Sequence, residues 1–239
     1  MNVWFAIPSC RPAAEAEPIL AKWRERGYKI ALLRQGEPLE ADLTIQTDHY
    51  LGWAPSINIL ARFIVEHDPD AEFIVSGGDD TEPDTDHAAE KIGRECREYF
   101  EEPGARKFEW IGATFGVMQP TGDLKLWPGS AIDRFAGSPW MGREFCRRMY
   151  GGSGPLFDGY HHMFADEELQ EVATKLGVFW QRPDLIHKHM HWGRRAGGAR
   201  REDIPDFLQH VNSREHWNES EALFNARKAA GWPGHEPIA

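Results

Sequence analysis

The sequence has little cysteine, no long apolar run and no surplus of positive charge. Its three cysteines, Cys10, Cys96 and Cys146, are odd in number and widely spaced. That leaves no disulfide framework and no zinc pattern, and it predicts a reducing compartment. No stretch approaches the roughly 20 apolar residues of a membrane span. The opening segment Met1–Arg11 carries only a short apolar run, Val3 to Pro8, too short for a secretory leader. The expectation is a soluble, cytoplasmic protein with no membrane partner. The formal charge is −11, from 27 Lys and Arg against 38 Asp and Glu. Such a balance argues against tight binding of nucleic acid through its phosphates. Arg194, Arg195, Arg200 and Arg201 are the local exception, a basic stretch able to meet a phosphate or simply to be solvated. Also missing are G-x-G-x-x-G, the P-loop motif and the G-x-S-x-G elbow, which argues against hydride transfer and P-loop chemistry and leaves no nucleophile elbow.

What is present suits one α/β domain over the 239 residues. A chain of this length buries a core without staples. Val3–Ile7 reads as a buried strand ended by Pro8. Ala13–Arg26 follows as a helix with Ile19, Leu20 and Trp23 on one face, stopped by Gly27. Lys29–Leu33 is a second strand and Leu43–Gln46 a weaker third. Ser56 is the expected N-cap of a helix reaching His67, Glu72–Ser76 a strand, and Thr85–Phe100 a helix. Alternation of this kind with short connections is the signature of a mostly parallel sheet flanked by helices. After about Glu102 the pattern becomes irregular and Gly- and Pro-rich. Short strands are predicted at Phe108–Ile111, Phe115–Met118, Leu124–Trp127 and Leu185–His189. Helices are predicted at Arg143–Tyr150, Asp166–Leu176, Pro205–Val211 and Glu219–Ala230.

Three constellations carry candidate chemistry. The first is Ser76-Gly-Gly-Asp79-Asp80. Adjacent carboxylates just after a buried strand repel one another and resist burial, and a divalent cation such as Mn²⁺ or Mg²⁺ would remove that cost. The carboxyl ends of strands are also where open α/β sheets bind ligands. A solvated acidic loop is the competing reading. The second is His187-Lys-His189-Met-His191, whose period of two puts the imidazoles on one strand face as possible metal ligands, or as ordinary surface residues. The pair His161-His162 sits in a predicted loop. The third is Asp166-Glu167-Glu168, either a general base aimed into a cleft or acids that favour a helix N-terminus, with Asp166 as N-cap. Ten Trp exceed what a core needs, and Trp53, Trp127, Trp140 and Trp192 are candidate stacking surfaces for a sugar or base.

Taken in order, these pieces resemble the GT-A nucleotide-sugar glycosyltransferases of the family-two type. Ile7-Pro8-Ser9-Cys10-Arg11 is similar to that family's opening strand and donor loop. Gly52-Trp53-Ala54-Pro55-Ser56-Ile57-Asn58 is similar to its Gly…Asn helix entry, and Phe73–Ser76 with Asp79-Asp80 to its aspartate motif. Asp166-Glu167-Glu168-Leu169 resembles its Glu-Asp-x-x-Leu helix start, and His189-x-His191 falls where a late His completes metal coordination. The resemblance spans residues 1–195 and implies a GT-A, Rossmann-like sheet with an irregular acceptor-side half. It divides the chain into a nucleotide-sugar half at 1–102, an acceptor and catalytic half at 103–195 and a helical extension at 196–239.

The resemblance also implies roles. Pro8, Ser9, Arg11, Arg34, Trp53, Asn58 and Asp79 would bind the donor; Asp80, His189 and His191 would hold Mn²⁺ or Mg²⁺; Asp166, or Glu167 after it, would be the base. The implied activity is transfer of a hexose or pentose from a nucleoside-diphosphate sugar to an acceptor hydroxyl on a glycan, a small molecule or a DNA base. The chain departs from the pattern at Arg34-Gln35-Gly36, where an Asp often meets the nucleotide base, at Asp79-Asp80-Thr81 in place of Asp-x-Asp, and at Ala165 in place of Glu. Small size, many Trp and the closing Arg227-Lys228-x-x-Gly231-Trp232-Pro233 are similar to bacteriophage glycosyltransferases, some of which decorate hydroxymethylated DNA bases. Two alternatives stay open: a nucleotidyltransferase acting on a sugar phosphate, and a non-catalytic carbohydrate- or DNA-binding module.

Overall fold

The computed structural model describes residues 1–102, 111–122, 137–190, 209 and 211–239. The first half follows the alternation in the sequence. Strand β1 (Asn2–Ser9) leads to α1 (Ala13–Glu25), then β2 (Lys29–Arg34), β3 (Leu43–Gln46), α2 (Trp53–His67) and β4 (Ala71–Val75). The second half adds β5 (Thr81–Glu82), α3 (Ala89–Glu101), β6 (Val117–Pro120), β7 (Trp140–Gly142) and α4 (Arg143–Arg148). It continues with α5 (Ala165–Leu176), β8 (Phe179–Arg182), β9 (Lys188–His189) and α6 (Arg214–Ala229).

Seven strands form one sheet in the order β3-β2-β1-β4-β7-β6-β8. β3, β2, β1 and β4 run parallel; β7 is antiparallel to both β4 and β6; β8 is parallel to β6. Only β7 therefore opposes the others among these strands. The fold is a mostly parallel α/β sheet flanked by helices, and strands from both halves of the chain share it.

The period of two along β1 and β2 divides the core. Trp4, Ala6, Ala31 and Leu33 face α2 and join Ile57, Leu60, Ala61 and Ile64 in one cluster. Phe5, Ile7, Ile30 and Leu32 face the other way, onto Leu20 and Trp23 of α1 and Ile92 and Cys96 of α3. Phe5 and Trp23 stack at 3.7 Å. The face of α1 that enters the core is Ala16, Leu20 and Trp23; Ile19 is only half-buried.

Several boundaries differ from the sequence reading, each for a local reason. α2 starts at Trp53, and Ser56 lies inside it with its hydroxyl donated back to the Gly52 carbonyl. α3 starts at Ala89 because Asp84 captures the backbone N–H groups of Asp86 and His87 in a turn. The residue preceding α5 is Phe164, left-handed at φ 69°, so Asp166 lies within the first turn and is not the cap. α6 begins earlier, at Arg214, where the Ser213 side chain accepts from the His216 N–H. The strand expected at Leu185–His189 contracts to Lys188–His189, and the one at Phe115–Met118 shifts to Val117–Pro120. The helix predicted to reach Tyr150 is α4 followed by a 3-10 turn, Met149–Gly152. The segments predicted at Leu124–Trp127 and, for the most part, at Phe108–Ile111 and Pro205–Val211 lie outside the described residues. Among the described residues no helix is long and apolar enough to cross a membrane.

Candidate functional site

The site grows from the carboxyl ends of β1, β2 and β4. β4 ends at Val75, and Ser76-Gly77-Gly78 carries the chain to Asp79 and Asp80. Gly78 leaves room for the Asp80 carboxylate as it stands. A Cβ at that position would meet Asp80 Oδ1 at 2.5 Å. The loop is pinned by two indoles: Trp23 Nε1 donates to the Thr81 carbonyl at 2.7 Å and Trp53 Nε1 to the Gly77 carbonyl at 3.3 Å.

Asp79 is held on both oxygens. Ser9 Oγ donates to Oδ2 at 2.9 Å and Arg11 Nε to Oδ1 at 3.1 Å. Arg11 also stands 3.9 Å from Asp80 Oδ2. The repulsion between the adjacent carboxylates, which pointed to a cation in the sequence, is thus partly met by the protein's own guanidinium.

A second element completes the acidic end. β5 pairs antiparallel with β9, which sets Thr81 opposite His189. The Met190 N–H donates to the Asp80 carbonyl at 2.8 Å. Asp84 steers the incoming chain by accepting from the Ile186 N–H at 2.9 Å. Burial works against that carboxylate, yet hydrogen bonds from Ile186, His87 and Asp86 hold it below the usual range. As a result His189 Nε2 lies 3.2 Å from Asp80 Oδ1. Two ligands of an octahedral cation, each at ~2.1 Å, stand about 3 Å apart. The oxygen and nitrogen present at this spot fit a divalent ion as neighbouring ligands. Among the described residues no group of three or more His, Cys, Asp or Glu is assembled for a metal. His191, the third predicted ligand, lies outside the described residues.

Asp166 opens α5 on the same side. Burial pushes its carboxyl up to about 6, while its own and the Glu167 backbone N–H and the charge of His189 pull it back. The influence of His189 places Asp166 within electrostatic reach of the Asp80–His189 pair. At neutral pH such a group is mostly ionised and able to take a proton. Glu167 is half-buried beside it, and its N–H donates to Asp166 Oδ1 at 3.1 Å.

The remaining predicted residues divide. Pro8 lies in β1, in register with Leu33, and Trp53 heads α2 at the loop of glycines. Arg34 ends β2 but is 1% exposed, with Nη1 on Ser9 Oγ and Nε on the Glu37 carbonyl. Asn58 is buried, its amide committed to the N–H and carbonyl of Leu156. Trp140 is no stacking surface: it is fully buried against Tyr28 and Phe73. Trp127, Trp192 and the arginines from Arg194 to Arg201 lie outside the described residues.

His187 does not share the face of a ligand set with His189. It is buried between Trp23 and Trp140, hydrogen-bonded to Ser138 Oγ at 2.8 Å, and burial drives its imidazole down to about 3. His162 Nδ1 meets the Tyr50 hydroxyl at 2.8 Å, and the His161 carbonyl accepts from the Trp53 N–H at 2.6 Å. Cys10, next to Asp79, is pushed up to about 11 by burial and by that carboxylate, so it is a protonated thiol at neutral pH and no nucleophile.

Solved structures similar to this chain include glycosyltransferases. The catalytic domain of Drosophila beta1,4-galactosyltransferase 7, in complex with xylobiose, is similar over 90% of this chain and 81% of its own at 14% identity, with a TM-score of 0.48. A mutant of the same Drosophila enzyme, in complex with manganese, UDP-Gal and xylobiose, is similar over 90% of this chain and 82% of its own at 13% identity, with a TM-score of 0.44. A glycosyltransferase involved in glycosylation of the major capsid of PBCV-1 is similar over 61% of each chain at 12% identity, with a TM-score of 0.32. No protein-family model matches the sequence, and no curated protein matches it.

One feature of the site region had no sequence signal. Glu168 is 1% exposed and accepts from Tyr150 and Tyr160 hydroxyls at 2.9 and 2.8 Å. Arg227 of α6 grips it with Nε at 2.7 Å and Nη2 at 2.6 Å. The same Nη2 donates to the Pro233 carbonyl at 3.0 Å, so the closing Arg227…Gly231-Trp232-Pro233 run is a clamp on α5. The partners stand 59 residues apart in sequence, beyond the reach of any local pattern.

Proposed function

We propose that this protein is a metal-dependent glycosyltransferase that moves a sugar from a nucleoside-diphosphate donor to an acceptor hydroxyl. The observation that carries the reading is the meeting of Asp80 with His189, with Asp166 in electrostatic reach of that pair. Acids at the strand ends, a late imidazole and a separate carboxylate suit displacement at a sugar carbon, which needs charge neutralised on the leaving group and a proton taken from the acceptor. The nucleotide lies along Pro8, Ser9, Arg11 and Trp53. Arg11, already between the two aspartates, presents its guanidinium to the diphosphate. Asp80 and His189 would hold Mn²⁺ or Mg²⁺, with Asp79 beside them and His191 as a further candidate ligand.

A divalent ion held there would supply Lewis-acid neutralisation of charge on the donor diphosphate. Asp166 takes the proton of the acceptor hydroxyl, with Glu167 as the second candidate. One base is sufficient for direct displacement at the sugar carbon. The acceptor is a glycan or a small molecule; a hydroxymethylated DNA base, suggested by the resemblance to phage enzymes, is disfavoured by the charge of −11.

The test is thermal stability against a panel of nucleoside-diphosphate sugars, with Mn²⁺ and again with EDTA. A donor at ~100 times its dissociation constant adds about 2.7 kcal/mol. The expected result is a shift with one donor that EDTA abolishes. A shift only with nucleoside triphosphates would favour a nucleotidyltransferase, and silence with all donors would sink the reading. Once the donor is known, glycans and hydroxymethylated DNA are offered as acceptors in parallel.

A further inference from the structure

Arg34 is a buried cation with no carboxylate on it among the described residues. Its guanidinium donates to one backbone carbonyl and to Ser9 Oγ, and among the described residues no acid pairs with it. Buried charge of this kind is stabilised only by a compensating partner. The compensation runs through Ser9. Ser9 and Arg34 are register neighbours in the parallel β1–β2 pair and point to the same face, extending the alternations Phe5, Ile7 and Ile30, Leu32. Ser9 Oγ then donates to Asp79 Oδ2 at 2.9 Å.

The polarity of this chain is fixed by chemistry. A guanidinium only donates, so Ser9 Oγ meets Arg34 solely as an acceptor. The hydroxyl has one proton, and that proton goes to Asp79. The cation drawing on the oxygen makes the hydroxyl a better donor. Asp79 is thereby gripped from two sides, by Arg11 directly and by Arg34 through Ser9. Its carboxylate keeps one orientation, and the next residue, Asp80, turns to His189.

We infer that Arg34 is a positioning residue: through the Ser9 hydroxyl it fixes Asp79 in the orientation that receives the cation and diphosphate of the donor. The inference rests on the glycosyltransferase reading above. At 1% exposed, Arg34 has almost no surface to offer a ligand directly. This gives a physical reason for an arginine at the end of β2. It balances Asp79, the first aspartate of the pair, through Ser9, where Arg11 balances it directly.

A double-mutant cycle tests the relay. Ser9→Ala, Arg34→Met and the double variant are compared with the parent for binding of the tightest of UDP, GDP, ADP and CDP in the presence of Mn²⁺, by calorimetry. Each single change is expected to weaken binding about tenfold, the loss of one charge-assisted hydrogen bond. The double variant should also lose about tenfold, because both changes cut the same chain. Ser9→Thr, which keeps the hydroxyl, should bind like the parent. Ser9→Ala removes a single oxygen and serves even if Arg34→Met does not fold; its crystal structure should show Asp79 turned away from β1. A double variant about a hundredfold weaker, failure of Ser9→Thr to restore binding, or an unmoved Asp79 with parental affinity in Ser9→Ala would each overturn the relay while leaving the donor reading intact. A parent chain that binds none of the four nucleotides overturns both.

Discussion

Replacing Asp166 with Asn should make the protein more stable and inactive at once. The carboxyl is raised by burial from 3.8 to about 6. An acid with a raised folded pKa binds its proton more tightly in the folded state, so its ionisation opposes folding. The penalty is absent below about 3.8, grows between 3.8 and about 6, and is complete above about 6. A shift of about two units corresponds to about 3 kcal/mol at 1.36 kcal/mol per unit. Asp166 keeps some solvent contact, so the recoverable part is about 1–2 kcal/mol, or about 2–6 °C in Tm for a chain of this size. Asn keeps the oxygen that accepts from the Glu167 N–H and cannot ionise. The assay is differential scanning calorimetry of both proteins in metal-free buffer with EDTA, at pH 7.5 and pH 4.5. The Asn variant should melt higher at pH 7.5, and the gain should shrink toward zero at pH 4.5. Sugar transfer should fall about a hundredfold or more, the usual contribution of a general base. In the parent, kcat should rise with pH through about 6. An Asn variant that melts lower at pH 7.5, or a gain of equal size at both pH values, would refute the claim that Asp166 is a buried charge held ready against the fold.

Glu168→Gln should destabilise by about 3–5 kcal/mol, because it leaves Arg227 buried against a neutral partner. The double change Glu168→Met with Arg227→Met should recover much of that loss in urea unfolding, and a double variant no better than the single would show that the ion pair is not what joins α5 to α6. Gly52→Ala should cost about 1–3 kcal/mol. A Cβ there would stand 2.4 Å from the His161 carbonyl, at a residue with φ of 101°. A fall in Tm below about 1 °C would mean that the loop carrying His161 is not packed on α2 as described.

The sequence was most legible where a short apolar run alternated with a helical period. β1, β2, β3 and β4 and the helices between them lie within a few residues of their expected positions, because β1, β2 and β4 each carry an unbroken apolar stretch, Val3–Ile7, Ile30–Leu33 and Phe73–Val75, and β3 alternates as Leu43-Thr-Ile45-Gln; β1 runs on through Pro8 to Ser9, past its expected end. β7 and β8 escaped notice. Trp140–Gly142 and Phe179–Arg182 are too short for any period to register, and what makes them strands is pairing with β4 and β6. The acidic loop was legible in its position after β4, and His189 only as a member of an alternating run. That run was misleading in part. His187 and His189 share a spacing of two, but the chain becomes a strand only at Lys188, so the expected face never forms and His187 goes into the core. Arg34 carried a readable signal: a charged residue at the third step of the buried alternation Ile30, Leu32, Arg34. Its partner Ser9 came from the register of two strands, which no single segment encodes.

The first turn of α5 holds three acids, and their hydrogen bonds decide which of them is available for chemistry. Glu168 receives two hydroxyls and two guanidinium N–H groups, so its lone pairs are filled and it has no place for a substrate proton. The donors that act on Asp166 are two backbone N–H groups, its own and that of Glu167, with no guanidinium or hydroxyl among them. A strut needs every lone pair engaged; a base needs one left open. The two roles are linked by helix geometry. Residues two apart on a helix differ by about 200° in direction, so the clamp that draws Glu168 inward turns Asp166 to the opposite side. Arg227 and the two tyrosines fix the rotation of α5, and that rotation aims Asp166 at the side of the helix where His189 is felt. Through Arg227, α6 thus holds the helix on which the proposed base Asp166 sits.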